Sequence, residues 1–241
     1  MRRYFLWCST FRSGFTRVET GYRQTVQISV TAGGISQQDI LRIGAETEMI
    51  YLIRHGETEA NIKHIYCGST DIPLSHAGIE KLQERRDEEV MCRIRKVAQR
   101  FVTSGMPRTD QTLKLLFGDV DYNVDLRFGE MDFGIFEMRS YYELKDTPEY
   151  QLWLAGDNEA NVCPGGESGH QMEMRVIEAF NELEAFFMDG ADKNVVVVTH
   201  GGVIAAIMSN LFPGDGKNRF EWQPAPGYGY AIVSESEYEE L

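Results

Sequence analysis

Apolar and polar positions change rhythm along this chain, and the changes mark its elements. Ile50-Tyr51-Leu52-Ile53 is an unbroken apolar run closed by Arg54-His55-Gly56. A run that short, stopped by a glycine turn, predicts a strand buried on both faces. Phe101 to Ser104 predicts a second strand, ending in Gly105-Met106-Pro107-Arg108. Val195 to Thr199 predicts a third, central one, ending in His200-Gly201-Gly202. Between the strands the rhythm is helical. Ser75 is placed to cap a charged helix from His76 to about Arg95, and the helix after the second strand buries Leu113, Leu115, Leu116 and Phe117. Met172 to Met188 reads as a long amphipathic helix, and Val203 to Leu211 as another. Val120 to Leu126 adds a strand, and Tyr230 to Val233 a last edge strand. An aromatic-rich helical stretch runs from the Phe128–Gly134 segment through Trp153, and Pro164 to Ser168 forms a turn. Strands alternating with helices predict an α/β fold with a largely parallel sheet, whose ligands bind at the carboxyl ends of the strands.

Residues 1–48 break this rhythm and are expected to form an N-terminal extension ahead of one domain, 49–241. Val26, Ile28 and Val30 alternate as in a strand, and Ser36 is placed to cap a short helix over Gln37 to Ile43. The first 23 residues carry a charge of +4 and the remainder −17. An arginine-rich, acid-poor start has the composition of a targeting segment, but Tyr4 to Cys8 is too short an apolar core for a secretory signal. A plain extension is the expectation, with no function read from it.

Composition narrows the chemistry. With 241 residues, 42% of them hydrophobic, the chain can build one sizeable core. A net charge of −13 argues against nucleic-acid partners and anionic membrane surfaces, so any anion site must be a local basic pocket in an acidic body. The four cysteines form no CxxC pair, which fits a reduced cytoplasmic setting. No apolar run is long enough to span a membrane. His64 and Cys67 form only half of a metal-ligand pattern, so no metal is expected.

Three strands therefore end in groups suited to a phosphate: Arg54 and His55, Arg108, and His200. An arginine fork matches phosphate oxygens, and a histidine can bind them or attack phosphorus. The motifs also resemble those of a known family. Ile53-Arg54-His55-Gly56-Glu57-Thr58 with Asn61 resembles the signature of the histidine phosphatase superfamily, the phosphoglycerate mutase-like enzymes. Thr70 to Gly78, Ser104 to Arg108 with Gln111-Thr112, Phe128 to Glu137, and Val198 to Gly202 resemble its further motifs, in order. Two positions depart: Gly105-Met106 stands where the family commonly has Pro-Leu, and Met138 where it has glycine.

The resemblance implies a three-layer α/β/α sandwich and a metal-independent phosphomonoesterase without a cofactor. It implies His55 as nucleophile, Arg54, Arg108 and His200 as phosphate clamp, and Asn61 and Gly201 as further phosphate ligands. Glu130 is implied as the proton donor, with Asp132 and Glu137 as competitors for that role; Phe128, Met131 and Phe133 would give it a drier setting. Glu57 is expected to be structural, His76 a surface residue, and Glu167-Ser168 the border of a pocket. The short segment between Glu130 and Gly166 favours hydrolysis over mutase chemistry, and the chain looks most like the alpha-ribazole phosphatase-like branch. The implied substrate is a small phosphorylated metabolite, with alpha-ribazole 5'-phosphate as one candidate. The alternatives are a cofactor-dependent phosphoglycerate mutase and a non-catalytic phospho-ligand binding module. Phe136, Tyr141, Tyr142, Tyr150 and Trp153 are either substrate contacts or core of a cap. The oligomeric state is left open, a homodimer being compatible.

Overall fold

The computed structural model describes residues 9–10, 15–19, 25–29, 49–157, 159–189, 194–234 and 236–241; of residues 9–10, 15–19, 25–29 and 186–189 it describes the backbone alone. They belong to two compact units, Met1–Glu48 and Met49–Leu241. In the first, β1 (Ser9–Thr10), β2 (Phe15–Glu19) and β3 (Thr25–Ser29) form an antiparallel sheet, with Val18 opposite Val26. Val26 and Ile28 thus lie in a strand, whereas Val30 and the helix expected over Gln37 to Ile43 fall outside the described residues.

The second unit is built on a six-stranded sheet. Its strands are β4 (Met49–Arg54), β5 (Arg100–Thr103), β6 (Asn123–Val124), β7 (Asn194–Thr199), β8 (Gly229–Ser234) and β9 (Glu237–Glu240), in the order β6-β5-β7-β4-β8-β9. β6, β5, β7 and β4 run parallel, while β8 is antiparallel to β4 and β9 antiparallel to β8. The central strand is Asn194-Val195-Val196-Val197-Val198-Thr199, buried at every position. β-branched residues suit this place, and each buried valine contributes about 1.5–3 kcal/mol.

Period-2 alternation sorts the side chains into two cores. Ile50, Leu52, Val102, Val195 and Val197 pack on one face with Val176 and Phe180 of α7 (Gly169–Asp189) and Val203, Ile204 and Ile207 of α8 (Gly201–Leu211). Tyr51, Ile53, Phe101, Val196 and Val198 pack on the other with Leu82 of α2 (His76–Arg86), Met91 and Ile94 of α3 (Glu89–Val97), and Leu113 and Leu116 of α4 (Pro107–Phe117). Helices thus cover both faces, giving the expected three layers.

Three expectations need correction. The helix expected from His76 to Arg95 is two helices, broken at Asp87 and Glu88, where ψ changes from −2 to 148. Helix geometry explains the break: at about 100° per residue, Met91 would lie about 180° around a straight helix from Leu82. Re-phasing at the break brings both onto the core. The strand expected at Tyr230 to Val233 is not the edge, because β9 pairs outside it. The aromatic stretch before Trp153 is not continuous helix: 3₁₀ turns lead to α5 (Tyr141–Leu144), started by the Ser140 capping box, and α6 (Pro148–Leu154), started by Pro148 in its first position. Between the sheet and these elements, α1 (Glu59–Ile62) is a single turn capped by Thr58. No described helix is long and apolar enough to cross a membrane.

Candidate active site

Strand order decides where the chemistry gathers. β5, β7 and β4 are neighbours and parallel, so the segments after them emerge at one sheet edge. The His55 N–H donates to the Thr199 carbonyl at 2.9 Å, which extends the β4–β7 pairing one step and sets His55 beside His200. Their ring centroids are 5.2 Å apart, edge to face. His55, His200 and Arg108 are all buried.

The hydrogen bonds fix both imidazoles. His55 Nδ1 lies 2.7 Å from the Gly56 carbonyl, which can only accept, so Nδ1 carries the proton and Nε2 keeps its lone pair. Arg108 Nε–H donates to His200 Nδ1 at 3.4 Å, so the His200 proton is on Nε2, 2.8 Å from Ser104 Oγ. Ser104 then donates to Thr109 Oγ1 at 3.1 Å, and Thr109 to the Met106 carbonyl at 2.8 Å. Every member of this buried chain has a partner. Ser104 and Thr109 as holders of His200 were not read from the sequence, where a serine and a threonine near an arginine carry no signal of a distant histidine.

Burial pushes the His55 imidazole down to about 3; the Arg108 charge adds to this, the Gly56 carbonyl opposes it, and Arg54 adds a smaller push. His200 is also pushed down, first by burial and then by His55 and the two arginines. Both rings are therefore neutral near pH 7. The unfolded chain, with imidazoles near 6.5, binds protons between about pH 6.5 and 3 that the folded chain refuses. Stability must fall as pH falls through that window. Thermal denaturation without phosphate should show a lower melting temperature at about pH 5 than at about pH 7, with a shallower slope in His55→Ala. Equal slopes in the two proteins would contradict this.

Arg108 is held by backbone. Its Nη2 donates to the Gly68 carbonyl at 2.6 Å and its Nη1 to the Thr70 carbonyl at 2.9 Å. The loop offering these carbonyls is folded around Glu137, whose carboxylate accepts from the N–H groups of Gly68, Ser69, Thr70 and Phe133 and from the Thr70 hydroxyl. Glu137, expected as a competitor for the acid role, is thus occupied in building the arginine's seat. Asp132 Oδ1 is likewise taken, by the Ser69 hydroxyl and the Gly134 N–H.

Glu130 sits on the loop after the 3₁₀ turn Leu126–Phe128. Its segment is pinned by Thr199 Oγ1, which donates to the Phe128 carbonyl at 2.7 Å, and by Arg175, which donates to the carbonyls of Gly129 and Glu130. The carboxylate accepts the N–H of Met131 and, at 3.0 Å, that of Gly202 in the first turn of α8. Phe128 and Met131 are buried and Phe133 half-buried around it. The glycine pair after His200 now has a reason. A Cβ at Gly201 would lie 3.0 Å from the Arg54 guanidinium carbon, and one at Gly202 only 2.4 Å from Glu130 Oε1. Gly202→Ala should displace the carboxylate and lower kcat for esters of poor leaving alcohols roughly 10²-fold, while alanine suits the helix and leaves the melting temperature near wild type. Unchanged kcat would show that this contact does not position Glu130.

Arg54 donates through Nη1 to the Pro224 carbonyl at 2.8 Å, and its Nε is buried with no partner among the described residues. Asn61 uses its carboxamide oxygen in a capping box with Thr58. Glu57 pairs with Lys81, and His76 is a surface residue. Thr112 accepts the Gly56 N–H, and Gln111 the Leu74 N–H, so the motif around Arg108 also holds the turn after β4.

Both departures from the family pattern have structural counterparts. Met138 has φ 58, the left-handed region a glycine would occupy freely. Gly105 has φ 77, which proline cannot adopt, and Pro107 instead takes the first position of α4. Phe136, Tyr150 and Trp153 are buried in the core, Tyr141 and Tyr142 are exposed, and none lines the cavity beside Glu130. Ser168 caps α7, while Gly165, Gly166 and Glu167 do border that cavity. Among the described residues no group of three or more His, Cys, Asp or Glu could hold a metal ion.

The α/β sheet edge thus brings together two neutral buried histidines and two arginines, with the Glu130 carboxylate on a neighbouring loop. The sequence profile of the histidine phosphatase superfamily (branch 1) matches residues 50–240, and the chain belongs to that family as a histidine phosphatase. It is 30% identical over 174 residues to the adenosylcobalamin/alpha-ribazole phosphatase of Salmonella typhimurium, covering 67% of this chain and 78% of that protein. It is also 30% identical over 168 residues to a Yersinia enterocolitica protein named "Probable phosphoglycerate mutase GpmB", covering 67% and 74%. The alpha-ribazole phosphatase of Shigella flexneri shares the fold, with a TM-score of 0.64, 24% identity, and coverage of 80% of this chain and 94% of that one.

Proposed function

We propose that this chain hydrolyses a small phosphomonoester through a phosphohistidine on His55. The observation that carries the reading is the Nδ1–H···O=C bond from His55 to Gly56, which leaves Nε2 bare at a buried sheet edge beside His200 and Arg108. Nε2 attacks phosphorus, the bond to the ester oxygen breaks, and Glu130 delivers a proton to the departing alkoxide. Glu130, now a carboxylate, takes a proton from water as that water attacks phosphorus and frees the imidazole. Arg54 and the Arg108 N–H bonds not given to the protein hold equatorial oxygens on which charge is spread, and His200 joins them by turning its Nε2–H from Ser104 to the phosphate. Two further features support this clamp. The Arg54 Nε lacks a protein partner, and the Asn61 amino group makes no hydrogen bond among the described residues. Gly201 opens α8, whose first-turn N–H groups favour an anion.

Alpha-ribazole 5'-phosphate is the candidate substrate, on the strength of the relatives' names. The mutase reading is favoured by the names of relatives such as the Yersinia protein. Phosphate release from p-nitrophenyl phosphate without metal or bisphosphate separates the two, since a mutase would need the bisphosphate. For Glu130→Gln, release of the alcohol from alkyl phosphates in a single turnover should slow roughly 10²–10⁴-fold and that of p-nitrophenolate far less, because an activated phenolate leaves unprotonated. Equal slowing of both would remove Glu130 from the acid role.

A further inference from the structure

A cavity of about 490 Å³ opens beside Glu130. It shares Ser104, Gly105 and Glu130 with the phosphate-handling edge; Asp71, Asp132, Glu167 and Arg175 line it further out, with Met106 and Leu126 as an apolar side. In the reading above, Glu130 faces the ester oxygen, so this cavity receives the leaving alcohol. What it can hold follows from the polar atoms still free.

Arg175 is the only cation among the lining residues, and it has nothing left to give. Its Nε donates to Glu167 Oε2, its Nη1 to the carbonyls of Arg127 and Gly129, and its Nη2 to the Glu130 carbonyl and to Glu167 Oε1. A guanidinium has five N–H bonds, and five acceptors meet them. A ligand carboxylate or second phosphate would therefore find no free cation here. Acceptors are in surplus. Asp71 is exposed and makes no hydrogen bond or ion pair among the described residues, and Asp132 uses only one carboxylate oxygen. Unpaired carboxylates repel an anion and accept from O–H and N–H donors.

We propose that the leaving group this cavity selects is an uncharged or cationic alcohol bearing hydroxyl or ammonium donors, and that esters of carboxylate-bearing or doubly phosphorylated alcohols are rejected. This rests on the phosphatase reading for the placement of the leaving group, and it deepens that reading by stating the substrate's charge class. A nucleoside-like or amino-alcohol group fits it; a phosphorylated sugar acid does not.

The test uses three ligands of similar size: glycerol 1-phosphate, O-phosphoethanolamine and 3-phosphoglycerate. Binding to His55→Ala is measured by calorimetry, and turnover with the wild-type protein. At low ionic strength the first two should bind, and be turned over, at least roughly 10-fold better than 3-phosphoglycerate. The preference should shrink in about 0.5 M salt and fall at least roughly threefold in Asp71→Lys. Equal or better binding of 3-phosphoglycerate at low salt overturns the inference, as does a preference that neither salt nor Asp71→Lys alters. If wild type hydrolyses p-nitrophenyl phosphate but the charge order is absent, the inference fails and the phosphatase reading stands. If the order appears in binding but no phosphate is released from any ester, the phosphatase reading fails and the charge selection stands.

Discussion

His55→Ala is expected to abolish phosphate release, with kcat reduced at least roughly 10⁴-fold for every ester, activated or not. The substitution removes the one bare imidazole nitrogen whose tautomer is fixed by a neighbouring carbonyl. His200 cannot take over. Its Nδ1 is covered by Arg108 and its Nε2 proton is given to Ser104, so it offers no free lone pair. The fold should survive, because His55 contributes a buried neutral ring that must be kept from protonating, and deleting it removes an acid-sensitive group. Retained melting temperature with lost turnover separates a chemical role from a structural one. Turnover within tenfold of wild type would refute the nucleophile.

Arg108→Lys should be nearly as damaging, although charge is conserved. The guanidinium donates in one plane to His200, Thr70 and Gly68 while fully buried. An ammonium cannot reach three acceptors in that fork. The Gly68 and Thr70 carbonyls lose donors, at about 1–3 kcal/mol for each left unpaired. His200 loses the bond that places its proton on Nε2. The expected result is a fall in kcat/KM of roughly 10³-fold with a lower melting temperature, and partial recovery of kcat in Arg108→Ala on adding guanidinium ion. Near wild-type kcat/KM in Arg108→Lys would show that charge alone, not the fork, is what the site uses.

The site was more legible in the sequence than the structures that hold it. Strand tips are written locally: an apolar run, then a polar group, then glycine. Arg54, His55 and His200 could be placed because Arg54 ends β4, His55 follows it directly and His200 follows β7 directly, and the adjacency of β4 and β7 then brings them together. Glu130 was readable only through the resemblance, since it follows no strand. What could not be read depends on partners far apart in the chain. Nothing near Glu137 announces that its carboxylate folds residues 68–70, or that two of their carbonyls seat Arg108. The break at Asp87 was hidden because both flanking segments are charged and helical, and only the phase of Leu82 against Met91 reveals it. The aromatic residues 136–153 could be read as substrate contacts or as the core of a cap because composition cannot separate a lining from a core. Their rings pack on one another, with Tyr66 and Tyr150 hydroxyls 2.6 Å apart.

The proposed hydrolysis requires a covalent bond from phosphorus to one nitrogen, His55 Nε2. The direct measurement is a rapid quench of wild-type protein with a ³²P-labelled phosphomonoester, followed by peptide mapping at alkaline pH, where phosphohistidine survives. The label should appear within one turnover on the peptide carrying His55, bound at Nε2, with more of it accumulating from an activated aryl ester when Glu130→Gln slows its hydrolysis. Steady turnover with no labelled peptide, or label on the peptide carrying His200, would contradict it.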